Sequence, residues 1–147
     1  MRRGFSLLTA VIFLVLVATI GALALSFSTL NVKQTSDIYL REQADMLLQS
    51  ATEYALLAIS GHPINAANGC LNTINSQFQQ AGNPMFDINI TMNYLGNGLP
   101  AGCNQFNAAN IDTNDSNVTV VIDTIVTSVA GIATEPIRLH RRTIQKP

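Results

Sequence analysis

Residues 5–27 read FSLLTAVIFLVLVATIGALALSF, a run without charge or proline and with only four hydroxyl residues. A helix crossing a bilayer needs about 20 apolar residues at a rise of about 1.5 Å each, and this run supplies them. Only Met1-Arg2-Arg3-Gly4 precedes it. Two arginines ahead of the run and a longer polar stretch behind it predict a cytoplasmic N-terminus with the remainder across the membrane.

The pattern does not end at Phe27. From Leu40 the apolar residues Leu40, Ala44, Leu47, Leu48, Ala51, Ala55 and Ala58 recur at steps of three and four, the spacing of one helical stripe. Arg41, Glu42, Asp45, Gln49, Thr52 and Glu53 are expected on the opposite side. No proline falls between Phe5 and Ser60, and Gly21 is the sole glycine there. Asn31, Thr35 and Ser36 are weak helix formers, the places where a bend is expected. The reading is one helix over 5–60, apolar all round in its first half and amphipathic in its second. Ser60-Gly61-His62-Pro63 stops it, glycine after the last periodic residue and proline two further on.

The rest predicts a modest β structure. Residues 86–95, FDINITMNYL, alternate apolar and polar, and residues 118–129, VTVVIDTIVTSV, form the richest β-branched run. Residues 136–145 carry a third strand, with Ile137 and Leu139 on one face. Residues 71–80 are read as a short helix. Three strands predict an antiparallel meander packed on the amphipathic half of the helix, an α+β fold.

Arg2-Arg3-Gly4-Phe5-Ser6-Leu7-Leu8, with the apolar helix directly behind it, resembles the leader of type IV pilins and type II secretion pseudopilins. The resemblance implies cleavage by prepilin peptidase between Gly4 and Phe5, methylation of Phe5, and a pilin-like fold. It implies residues 1–4 as leader, 5–28 as transmembrane and assembly helix, 29–60 as amphipathic helix and 61–147 as globular β-rich head. It implies other pilin or pseudopilin subunits and an inner-membrane assembly platform as partners. The chain would then be a single-pass protein of the bacterial inner membrane with a periplasmic or extracellular head. One position departs from the family. The fifth mature residue, normally glutamate, is Thr9. Threonine cannot neutralise the ammonium that cleavage would leave on Phe5 of a neighbour, and a charge uncompensated in a bilayer costs at least about 2.5 kcal/mol. The departure points to a minor subunit, at a filament tip, of a type II secretion, type IV pilus or competence apparatus.

Two other readings of the same run stay open. Ala22-Leu23-Ala24 fits a secretory cleavage site, and an uncut signal anchor needs nothing more than the run itself. Either would make the chain a membrane-anchored or secreted small β-rich binding domain with no filament role.

Cys70 and Cys103, the only cysteines, both lie beyond the apolar run. In an oxidising compartment they are expected to pair, closing a loop worth about 3–4 kcal/mol in the chain-entropy picture. No CxxC or neighbouring histidine suggests a metal. Asp112, Asn114 and Ser116, with Asp123 at the twelfth position, have the spacing of a calcium loop. Asn117 stands where that loop needs glycine, so a polar turn before a strand is the stronger reading. Arg138, Arg141, Arg142 and Lys146 make the last strand and tail basic. That suits contact with an acidic partner subunit, a surface or DNA, and a solubilising sheet edge protected by charge is the stronger reading. The formal net charge of −1 and the absence of tryptophan argue against nucleic-acid binding. His62 and His140 lack any supporting nucleophile motif, so neither a cofactor nor enzymatic activity is expected.

Overall fold

A stretch without proline can stay helical as long as its side chains find suitable surroundings. In the computed structural model, which describes residues 3–106 and 118–147, one helix, α1, spans Arg3–Gly61. It passes Gly21, Asn31, Thr35 and Ser36 without a break, and Thr35 Oγ1 donates back to the Asn31 carbonyl at 2.9 Å. It stops where the sequence stops it, with His62 N donating to the Ile59 carbonyl at 3.1 Å.

The chain divides between Tyr39 and Leu40 into two compact units. The described residues of the first are all helical, and its described side chains from Leu7 to Ser36 are all exposed. The second joins the rest of α1 to a sheet of four strands: β1 (Thr73–Gln80), β2 (Asn83–Gly96), β3 (Val118–Ser128) and β4 (Arg138–Gln145). Their order is β1-β2-β3-β4, and every neighbouring pair is antiparallel. The fold is therefore α+β with a meander, as expected, but with four strands rather than three.

The extra strand, β1, replaces the short helix expected over 71–80. Ile74 and Phe78 are four residues apart, a spacing that puts them on one face of a helix or of a strand. The strand wins because β2 is long enough to pair with it. Ile74 lies opposite Ile90 and Phe78 opposite Phe86. A two-residue turn, Ala81-Gly82, links the strands with both residues at positive φ, 51° and 82°. Hairpins favour that left-handed geometry because its twist matches the strands.

Alternation then sorts the sheet. Phe86, Ile88, Ile90, Met92 and Tyr94 of β2 lie opposite Ser128, Val126, Thr124, Ile122 and Val120 of β3, and all are buried. Leu40, Ala44, Leu48, Ala51, Ala55 and Ile59 of α1 join most of them in one core. Burying each large aliphatic side chain contributes about 1.5–3 kcal/mol. Ala44 and Ala55 are wholly buried, small residues that let the helix approach closely. Thr52, expected on the polar side, is buried instead. It follows Leu48 by four residues, and its hydroxyl meets that of Thr124 at 3.1 Å.

Candidate functional site

Gly4 and Phe5 fall in the first turn of α1, and Thr9 lies one turn further on, exposed. Behind them the large apolar side chains Leu7 to Phe27 are between half and three-quarters exposed. The helix is long and apolar enough to cross a membrane, and its most apolar window has no protein cover. Two of its hydroxyls are answered within the helix: Thr19 Oγ1 donates to the Leu16 carbonyl at 2.8 Å and Thr29 Oγ1 to the Ser26 carbonyl at 2.9 Å. Such self-contained polar groups are what a hydrocarbon environment demands.

Cys70 and Cys103 form a disulfide, with Cα atoms 5.0 Å apart. It is the anchor of a small polar clamp. Asn72 Nδ2 donates to the Gly102 carbonyl at 2.7 Å, and Asn72 Oδ1 accepts from Asn104 N at 2.9 Å. The clamp sets the 104–106 stretch against β2 just where β1 ends. Met92 N donates to the Asn72 carbonyl at 2.8 Å, Tyr94 N to the Asn104 carbonyl at 2.7 Å, and Phe106 N to the Tyr94 carbonyl at 3.0 Å. Tyr94 Oη donates to the Leu71 carbonyl at 2.6 Å from a buried ring, and burial pushes the phenol pKa up. Nothing in the sequence pattern singles out Asn72 or Tyr94 for these roles; only the disulfide was legible.

Of the four calcium candidates, Asp112, Asn114 and Ser116 lie outside the described residues. Asp123 is on β3, facing away from the core, opposite Arg142 of β4. Asp123 Oδ1 accepts from Arg142 Nε at 2.7 Å and lies 2.9 Å from His140 Nε2, while Oδ2 accepts from Arg142 Nη2 at 3.0 Å. The Arg142 guanidinium, helped by His140, holds the Asp123 carboxyl below its usual range. Arg142 is raised in turn. A carboxylate so engaged is a poor ligand for a cation. Among the described residues no group of three His, Cys, Asp or Glu side chains could hold a metal. His62 ends the helix far along the sequence from this cluster, and the two histidines share no partner.

Of the basic residues at the end of the chain, Arg141 turns to the core side, with Nη2 3.9 Å from Asp45 Oδ1 of α1. Arg138 and Arg142 turn to the other face.

No protein-family model matches this chain, and no curated protein and no solved structure does.

Proposed function

We propose that this chain is a minor pilin-like or pseudopilin-like subunit of a bacterial envelope machine, processed between Gly4 and Phe5 and assembled through its N-terminal helix. One observation carries the reading. A single unbroken helix is bare and apolar at its start, yet supplies the core face of a sheet from Leu40 onward. An anchor joined to an unrelated domain has no need of that continuity. The basic leader Arg2-Arg3-Gly4 and the immediate start of the apolar run add to it. The chain's role would be assembly, with the exposed apolar helix in the bilayer or among helices of other subunits, and with Thr9 placing it where no neighbour's ammonium needs an acid.

The test is the intact mass and N-terminal sequence of the protein extracted from its native membranes. A mature chain beginning at methylated Phe5 is expected. A chain beginning at Leu25 would mean secretory cleavage after Ala24, and one retaining Arg2 and Arg3 in a cell with active prepilin peptidase would mean a plain anchor. Either would end the filament reading.

A further inference from the structure

β4 closes one side of the sheet, and no described strand pairs with its second edge. Which backbone groups that edge offers follows from the register. Ser128 N donates to the Ile137 carbonyl at 2.8 Å, and Ile137 N donates to Ser128 Oγ at 3.0 Å. Residue 137 thus faces β3. In an antiparallel ladder, alternate residues turn their N–H and C=O groups to opposite sides. Arg138, His140, Arg142 and Ile144 therefore direct theirs outward.

The pairing of β1 with β2 carries an irregularity between Phe78 and Gln79, where Met85 of β2 is the extra residue. β4 has none: its register with β3 runs unbroken from Val120↔Gln145 to Thr127↔Arg138. Its side chains are basic. Asp123 engages Arg142 and Asp45 lies near Arg141, whereas Arg138 makes no ion pair among the described residues. At the far end of the strand, a groove runs between Gln145 and Lys146 on one side and Glu53, Tyr54 and Leu57 of α1 on the other. Leu56 lines it too, half-buried and packed against the core.

We propose that the open edge of β4 accepts an extended acidic segment of a partner protein as a fifth strand. Its main chain would pair with residues 138, 140, 142 and 144. An acidic side chain of the segment would lie opposite Arg138, and its alternate, apolar side chains would turn to the face that packs on α1, toward Leu56. Charge selects this occupant over a second copy of the chain. Antiparallel β4–β4 pairing about a two-fold axis sets Arg138 of each copy against His140, Arg142 or Ile144 of the other and gives it no carboxylate, whereas an acidic segment supplies one. The surface is independent of how the N-terminus is processed.

The probe is a labelled peptide of alternating glutamate and valine, roughly as long as β4. It would be titrated into the full chain in non-ionic detergent micelles, with binding read by fluorescence anisotropy and amide exchange by NMR. We expect saturable binding and slowed exchange at Arg138, His140, Arg142 and Ile144, with Leu139, Arg141 and Thr143 unchanged because they already pair with β3. Arg138→Glu should weaken binding about tenfold, as should backbone N-methylation of the peptide, which keeps every side chain. A lysine–valine peptide should bind Arg138→Glu better than the parent chain, which shows that the variant still folds. Absence of binding would overturn the proposal. So would equal binding of the N-methylated peptide, which means bare charge attraction, or protection of the same four amides on concentrating the chain alone, which means self-pairing.

Discussion

Thr52 and Thr124 show how far one hydroxyl's role depends on its partner. Thr52 Oγ1 donates to the Leu48 carbonyl at 2.8 Å, which uses its single proton. The 3.1 Å contact between the two hydroxyls must then have Thr124 as donor. The two residues are consequently unequal, although they are chemically identical and both buried. Thr124→Val removes the donor and leaves Thr52 still bonded to the helix, so a loss of less than about 1 kcal/mol is expected. Thr52→Val strands a wholly buried Thr124 hydroxyl, and the cost should be about 1–3 kcal/mol. Urea unfolding of the two variants in the same detergent checks this. Equal losses, or the reverse order, would mean that the proton is shared differently. Thr52 also marks a limit of reading by residue type. A hydroxyl suggests a solvent-facing position, but position four after Leu48 put it on the core stripe, and a partner on β3 made the burial tolerable.

At the scale of elements, the disulfide and the Asn72 clamp do one job: they extend the partner of β2 beyond the end of β1. The bond closes 33 positions of chain, worth about 3–4 kcal/mol of unfolded-state entropy. Replacing both cysteines with serine should therefore lower stability by about that amount. It should also speed amide exchange at Tyr94 and Phe106 ahead of residues in the β2–β3 ladder. A change in global stability with Tyr94 still fully protected would show that the clamp holds without the bond. What was legible in these elements follows from period. The stripe from Leu40, the alternation in β2 and the β-branched run of β3 are long enough to mark their elements. β1 was not legible, since two apolar residues four apart fit either element and its turn uses alanine where asparagine or aspartate usually signals a hairpin. The Asp123–Arg142 pair was invisible for another reason: it depends on register, which the topology sets and no local pattern announces.

For the whole molecule, the question is whether exposed apolar surface on α1 means the same thing along its length. Leu16 is 51% exposed and Leu57 is 70% exposed, so exposure alone would rank Leu57 as the better membrane contact. Sequence context says otherwise. Residues 5–27 hold fourteen Leu, Ile, Val and Phe residues and no charge, whereas Glu53 and Ser60 flank Leu57 within a turn. On an insertion scale each such apolar residue contributes about −0.3 to −0.6 kcal/mol and each central lysine costs about 2.5–3.5 kcal/mol. Fourteen residues then favour insertion by at most about 4–8 kcal/mol, and two lysines remove most of that. The double variant Ile12→Lys with Leu16→Lys should move the chain from the carbonate-resistant membrane fraction to the soluble or degraded one. Leu57→Lys, on a more exposed residue, should stay with the membranes like the parent chain. If the double variant remained membrane-bound, the apolar half of α1 would not be what holds the protein there. If Leu57→Lys were released as readily, the second half of the helix would share the anchoring, and the division of labour along α1 would be wrong.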